Sequence, residues 1–262
     1  FGSSVHSGSP LIWKTPPTAM SRAGRRRSLA LAALATALFS VMTRGPGARD
    51  RAFGVNVRMR VKPECRDEFL AKIQACQKAT LEEPRSVEFV YGEDETTPNT
   101  FHVHEHYNGT QGFNEHKATS HTKDWEAFLA TDPFTEPPVT HSFKVRRLPD
   151  SGWSRSVAWE PRFCLNTQVR VKPEMRDEFL SCVERLQTNT LDQEMKSLDF
   201  LVGEDPTTPN TFYFHEQYVG KDGAQAHEQE PHLASWGDFL AKDPLTEPLL
   251  VERFADVNFN LA

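Results

Sequence analysis

From Phe53 onward, the pattern of apolar and polar positions is a tandem repeat with a period near 110 residues. The stretch NVRMRVKPECRDEFL (56–70) returns as NTQVRVKPEMRDEFL (166–180), and GEDETTPNTF (92–101) returns as GEDPTTPNTF (203–212). Nearly half of the aligned positions are identical. Solenoid repeats are shorter than this period, so the pattern indicates two duplicated domains.

Each repeat has the apolar spacing of strand, helix, strand, strand, helices and strand. Residues 55–61 alternate apolar and polar side chains, as a half-buried strand does. Residues 64–81 carry an apolar stripe at helical spacing, and turn formers between the strand at 87–91 and the strand starting at Thr100 predict a hairpin. Residues 139–145 close the repeat as a last strand. This βαββαβ order is that of a ferredoxin-like α+β fold.

The predicted strands carry large side chains on both faces, although helices can cover only one face of each sheet. The second repeat offers the missing cover. We therefore predict that the two antiparallel sheets face each other and form one intramolecular barrel, the equivalent of a dimeric α+β barrel. We also expect the chain to be a monomer, because the partner sheet is covalently attached.

The first 52 residues have the composition of a leader. The basic stretch SRAGRRRS precedes an apolar run of 14 residues (29–42), whereas about 20 are needed to span a bilayer. We predict a cleaved leader for the secretory pathway, a plastid or another organelle, with no stable membrane span in the mature protein. A leader retained as a membrane anchor is the alternative. The predicted divisions are the leader (1–52), repeat 1 (53–147), a linker (148–162) and repeat 2 (163–262).

Charge and cysteine content exclude several classes of function. The chain has a formal net charge of -6, but residues 1–52 hold eight Lys/Arg and one acid, which leaves 22 basic and 35 acidic side chains in the remainder. So acidic a body repels nucleic acid. The four cysteines lack zinc-site spacing, which indicates free thiols. Phosphate-loop, dinucleotide, serine-hydrolase and zincin motifs are absent from the sequence.

One strand of each repeat concentrates residues that can do chemistry. In FHVHEHY (101–107), Glu105 and Tyr107 point to one face and His104 points to the other. A Glu among aromatic residues is either a general base with a raised pKa or a structural, paired carboxylate. Three His on one face lie about 6.6 Å apart and repeat 2 keeps only one of them, so we predict no metal site. The corresponding residues of repeat 2 are His215, Glu216 and Tyr218. In both repeats, this His and this Tyr are candidate substrate contacts.

Two further His lie beyond the turn that follows this strand. An unbroken helix would place His116 and His121 about 140° apart, but Thr-Ser-His favours a break between them. One His could then point inward as a proton shuttle, or merely cap a helix. The matching residues of repeat 2 are His227 and His232. Because Pro231 precedes His232 and restricts the backbone, we expect repeat 2 to hold its His more rigidly and to be the more active copy.

Two other pairs are candidate substrate contacts. Trp125 and Trp236 sit at helical spacing with Phe and Leu, which fits a core position or a ligand platform. Asn56 and Asn166 lie near the start of the first strand of their repeats. Their amides could donate to a substrate oxygen or take part in strand hydrogen bonds.

These motifs together resemble a known family. The sequence G-E-D, then F-x-x-x-E-x-Y, then H-x4-H is similar to the antibiotic biosynthesis monooxygenase domain, in the branch of quinol monooxygenases and autoinducer-2-phosphate isomerase. That branch often has Thr-Pro-His before the last His, whereas this chain has Thr119-Ser120-His121 and Glu230-Pro231-His232. The resemblance covers nearly all of both repeats. It implies a dimeric α+β barrel with a cavity beside each sheet, often with no cofactor. Haem-degrading relatives use an Asn on the first strand, so haem stays an alternative.

Two classes of function remain open from the sequence. The first is an enzyme: a cofactor-independent monooxygenase or isomerase that removes a proton from a small quinol, phenolic or hydroxycarbonyl compound. The second is a small-molecule-binding or stress-associated barrel without turnover. A closed, apolar pocket with convergent His and Glu would favour the enzyme, and a site filled by Phe and Tyr would favour the second class.

Overall fold

The computed structural model describes residues 52–146 and 161–257. The predicted leader, except Ala52, and the predicted linker, except its last two residues, lie outside these ranges. Within the described ranges, no helix is long and apolar enough to cross a membrane.

Each repeat follows the predicted order of elements, which confirms the α+β class. Repeat 1 contains β1 (Phe53–Arg60), α1 (Arg66–Leu81), β2 (Ser86–Glu93), β3 (Thr100–Tyr107), α2 (Gly109–Lys117), α3 (Ser120–Leu129) and β4 (Val139–Val145). Repeat 2 contains β5 (Arg162–Arg170), α4 (Arg176–Gln193), β6 (Ser197–Glu204), β7 (Thr211–Val219), α5 (Gly220–His227), α6 (Ala234–Leu240) and β8 (Leu250–Ala255). Short 3-10 helices that begin at a proline precede α1, α4 and α6: Pro63–Cys65, Pro173–Met175 and Pro231–Leu233.

The repeated GEDxTTPNT motif builds the turn between the second and third strands of each repeat along the chain, as between β2 and β3. In repeat 1, Asn99 adopts a positive φ of 60°, which Asn tolerates better than most residues. The side chain of Asp94 accepts hydrogen bonds from the backbone N–H groups of Thr96 and Thr97, both at 2.9 Å. The motif is therefore accounted for by turn geometry.

The eight strands form one sheet that closes on itself as a barrel. The strand order is β2-β3-β1-β4-β6-β7-β5-β8. At one seam β4 pairs with β6. At the other seam Asp94, just after β2, pairs with Phe254 of β8, and Glu95 N–H donates to the Arg253 carbonyl at 3.1 Å. The predicted intramolecular barrel is thus confirmed.

Both seams depend on a glycine of the GED motif. A Cβ atom on Gly92 would overlap the carbonyl oxygen of Ala255, and one on Gly203 would overlap that of Lys144. Any larger residue would push the joining strands apart. His102 reinforces the first seam, since its Nε2 lies 2.8 Å from Asp94 and its Nδ1 lies 3.2 Å from Glu252 of the other repeat.

The interior of the barrel contains a polar centre shared by both repeats. The imidazoles of His104 and His215 stack with ring centroids 3.6 Å apart and an interplanar angle of 4°. His104 Nδ1 contacts Asn56 Oδ1 at 2.7 Å, and the Asn56 amide donates to the Phe214 carbonyl of repeat 2 at 3.0 Å. Asn166 makes the reciprocal pair with His215 at 2.7 Å and donates to a carbonyl of repeat 1. The two bonds from Asn amides to backbone carbonyls cross between the repeats. Asn56 and Asn166 therefore help to hold the two halves of the barrel together.

We predict that Asn56→Ala destabilises the whole protein. The substitution leaves the buried Phe214 carbonyl and His104 Nδ1–H without their present partner, which costs roughly 1–3 kcal/mol. Urea unfolding followed by circular dichroism should show this loss as one cooperative transition. The exposed Asn114 on α2 is the control position, and Asn114→Ala should stay within about 0.5 kcal/mol of wild type. Equal stability of the two variants would contradict the role given to Asn56.

Candidate active site

A small cavity lies on the helix-covered face of the sheet of repeat 1. Its volume is about 60 Å³. Apolar side chains from the sheet and α1 form most of its wall, together with three polar side chains and one indole. The lining residues are Val57, Met59, Ile73, Cys76, Phe89, Val103, Glu105, His116, Thr122 and Trp125. The arrangement is that of a small ligand site, with an apolar wall and a few polar groups.

The carboxylate in this wall is Glu105, on the outward face of β3. Tyr107 Oη donates to Glu105 Oε2 at 2.6 Å. Burial raises the pKa of Glu105 above its ordinary value, against the opposing effects of His116 and the Tyr107 hydroxyl. Burial and the neighbouring Glu105 also raise the pKa of Tyr107, so the phenol stays protonated. Burial raises the pKa of the Cys76 thiol to about 12, so this thiol is no nucleophile.

The two His of the H-x4-H motif converge on a single carboxylate oxygen. The predicted break is present, because α2 ends at Lys117 and Thr119 caps α3 by accepting from Thr122 N–H. His116 Nδ1 and His121 Nε2 each lie 2.8 Å from Glu83 Oε1. The helix break therefore brings together two imidazoles that a continuous helix would keep apart, and neither His is the helix cap.

Glu83 is the residue that sequence reasoning missed. It follows α1 and carries no motif of its own. A signal was available in the duplication, because repeat 2 has one extra residue just before this point and still places Glu194 at the matching position. With Glu83 included, one carboxylate links His116 to the partly exposed His121, and His116 lines the same cavity as Glu105.

Repeat 2 builds the same network from its own residues. Tyr218 Oη donates to Glu216 Oε2 at 2.7 Å, and His227 Nε2 lies 3.9 Å from that oxygen. Glu194 Oε1 contacts His227 Nδ1 at 2.8 Å and His232 Nε2 at 2.9 Å. Burial raises the pKa of Glu216. Burial also acts to lower the pKa of His227, but the hydrogen bond to Glu194 and the charge of Glu216 outweigh it and raise that pKa.

Among the described residues, three groups of His and carboxylate side chains are close enough to hold a metal ion. They are Glu83 with His116 and His121, Glu194 with His227 and His232, and Glu88 with His104 and His215. In the first two groups, one carboxylate oxygen already accepts from both imidazoles, so hydrogen bonds satisfy the set without an ion. In the third, Glu88 accepts from Arg162 and Gln217 at 2.8 and 2.7 Å.

The residues predicted from the sequence divide between the two faces of the sheet. Glu105, Tyr107, His116, His121 and Trp125 lie at or behind the wall of the cavity, and repeat 2 places its counterparts alike. The predicted substrate contacts His104, His215, Asn56 and Asn166 do not, because their strand alternation turns them into the barrel. Burial lowers the pKa of both His104 and His215 well below the ordinary value, so these imidazoles are neutral. Their role is structural.

The sequence profile described as antibiotic biosynthesis monooxygenase matches residues 52–127 and again residues 162–238. These two matches span more than half of the chain. The chain belongs to this family. No curated protein matches it significantly.

Solved structures share the fold of both repeats of this family member. A protein described as a "putative monooxygenase" from Lactobacillus acidophilus aligns with a TM-score of 0.63 at 15% identity, covering 78% of this chain and 93% of that one. A second protein so described, from Fusobacterium nucleatum, aligns with a TM-score of 0.68 at 18% identity over 79% and 94%. An anthrone oxidase-like protein aligns with a TM-score of 0.56 at 12% identity over 79% and 91%. At these identities the likeness shows the fold alone.

We predict that Glu105→Gln stabilises the protein at alkaline pH. Because burial raises the Glu105 pKa above its ordinary 4.5, this residue stabilises the fold below about pH 4.5, and the contribution is lost as pH rises through the folded-state pKa. Gln keeps an acceptor for Tyr107 and carries no charge. The variant should therefore gain about 1 kcal/mol at pH 8, or roughly 2–4 °C in Tm, and less at pH 5.

The control for this experiment is Glu174→Gln, at an exposed position. Its Tm should match wild type at both pH values. Tyr107, His116, Glu83 and Cys76 surround Glu105 in both proteins, so only the difference in Tm between variant and wild type is read. A Glu105→Gln variant that loses stability as pH rises, in parallel with wild type, would contradict the raised pKa.

Proposed function

We propose that this family member is a cofactor-independent monooxygenase that acts on a small phenolic or quinol-type compound in the cavity of repeat 1. The observation that carries the proposal is the mainly apolar cavity with Glu105 and His116 in its wall. Family membership supports this class of reaction. The alternative is a small-molecule-binding or stress-associated barrel without turnover. A site filled by Phe and Tyr would favour it, and the cavity of repeat 1 has one Phe in its wall.

In this proposal Glu105 is the general base. A carboxylate with a raised pKa takes a proton more readily than an ordinary one, which suits removal of a proton from an activated ring O–H or C–H. The resulting anion gives an electron pair to O₂ and forms a C–O bond. Protonation of the peroxide and loss of water then turn the attacked ring carbon, a C–H in the phenol and a CH₂ in its keto tautomer, into C=O, so the substrate supplies all the electrons and one oxygen atom leaves as water.

In this proposal the proton leaves Glu105 for solvent by way of His116, Glu83 and His121. His116 lies beside Glu105, shares Glu83 with His121, and His121 has 19% of its side chain exposed. The Tyr107 hydroxyl stays protonated and holds one carboxylate oxygen, so it orients the base. The apolar remainder of the wall keeps water away from the carbanion.

The size of the cavity limits the substrate. An apolar cavity of about 150 Å³ can hold benzene, whereas this one measures about 60 Å³. An aromatic ring therefore enters only if a wall residue moves. Trp125 is a half-buried wall residue on the short helix α3, so we expect its indole to swing outward. A small substrate of one or two rings fits this route best.

The test is a screen of one-ring and two-ring phenols and quinols for a ligand-induced rise in Tm, followed by oxygen uptake with each compound that binds. Glu105→Gln should reduce oxygen uptake by about 10²–10⁴-fold, the usual effect of losing a general base. Glu174→Gln should keep wild-type activity. Ligand binding without oxygen uptake, but with product formation, would indicate an isomerase. Binding without any product would indicate the non-catalytic barrel.

The pH profile of that activity provides a separate check. Glu105 must be ionised to act as base, and burial raises its pKa, so kcat/KM should rise with pH in a limb that lies above 4.5. A profile that is already flat above pH 4.5 would assign the base to another group.

A further inference from the structure

We infer that only repeat 1 binds a ligand, and that repeat 2 has filled its own copy of the pocket with side chains. The identity of the ligand rests on the proposed function. The argument that repeat 2 has no pocket rests on side-chain packing, which is independent of that function. The duplication supplies an internal comparison, because each wall residue of repeat 1 has an aligned counterpart in repeat 2.

Three wall positions are larger in repeat 2. Val103 becomes Phe214, so a phenyl ring replaces an isopropyl group on the central strand. Two further exchanges enlarge the helix side of the wall: Cys76 becomes Leu186 and Thr122 becomes Leu233. Phe214, Leu186 and Leu233 are all buried, with exposed fractions of 4%, 5% and 8%.

The ring of Phe214 lies between the helix and the sheet. Its centroid is 6.4 Å from that of Phe179 on α4 and 6.0 Å from that of Phe200 on β6, both with edge-to-face geometry. These two residues align with Phe69 and Phe89 of repeat 1, and Phe89 lines the cavity there. Phe214 thus occupies the space that corresponds to the cavity.

Two exchanges run the other way and are consistent with this packing. Met59 and Ile73 of repeat 1 are replaced by the smaller Val169 and Val183. Both valines are buried, at 1% and 2%. Shortening these side chains makes room for the added ring, as in a core repacked at constant volume.

The His and Glu side chains of the network are also more exposed to solvent in repeat 1 than in repeat 2. The side chain of His121 is 19% exposed and that of His232 is 8% exposed. Their shared carboxylates, Glu83 and Glu194, are 12% and 6% exposed. The proton path of repeat 1 therefore reaches solvent, whereas the corresponding network of repeat 2 is closed off. This reverses the sequence expectation that Pro231 would make repeat 2 the active copy.

The direct test is xenon, which enters dry apolar cavities. Crystals of the full chain are pressurised with xenon and anomalous peaks are compared between repeats. Wild type should show xenon beside Val103 and none beside Phe214. Phe214→Val should add a second site, and Cys76→Leu should weaken the first. Xenon beside Phe214 in wild type, or none beside Val103, would overturn the inference.

A second test compares oxygen uptake in variants of His121 and His232. His121→Ala should reduce oxygen uptake at least roughly tenfold, whereas His232→Ala should cost less than about threefold at equal folded fraction. An equal or larger loss in His232→Ala would overturn the inference. If xenon marks repeat 1 alone but no compound is turned over, the inference stands and the proposed oxygenation fails.

Discussion

The inner face of each four-stranded sheet can be buried only by the other repeat, and the rest of the molecule depends on this constraint. Helices cover the outer faces, so the inner faces need a partner of equal size. Duplication places that partner on the same chain. Gly92 and Gly203 let the seam strands approach closely, and Asn56 and Asn166 bond across the interior.

Because the inner faces are packed against each other, the cavity lies on the outer face, between the sheet and the helices. Strand alternation then sorts neighbouring residues by role. His104 points into the barrel, where it is neutral and stacked on His215. Glu105, one residue later, points towards the helices, where apolar surroundings raise its pKa. The strand β3 thus carries both His104, which stacks on His215 inside the barrel, and Glu105, the proposed base. Adjacent residues of a strand point to opposite faces, so these two side chains lie in different environments.

Much of this arrangement could be predicted from the sequence, because alternation and turn chemistry are local signals. The repeat, the element order, the two faces of β3 and the break between His116 and His121 all follow from spacing. Glu83 could not be found this way, since its role depends on the end of α1 meeting two helices from later in the chain. Its only trace is the matching position of Glu194.

The relative importance of the two repeats was also beyond local reasoning. Pro231 is a backbone signal, and it favoured repeat 2. We infer that side-chain volume at positions distant in sequence decides the pocket instead, since Phe214 takes the place of Val103. Whether a larger side chain fills a cavity or displaces its neighbours depends on three-dimensional packing, which no pattern of polar and apolar residues encodes.

We propose that Glu105 acts as a base because burial raises its pKa, and titration of this carboxylate tests that assignment most directly. Carbon-13 NMR of protein labelled at the Glu carboxyl carbon, with Glu105→Gln to assign the signal, reports the ionisation of this one group. The account predicts a midpoint clearly above the ordinary Glu value of 4.5. A midpoint at or below 4.5 would contradict it.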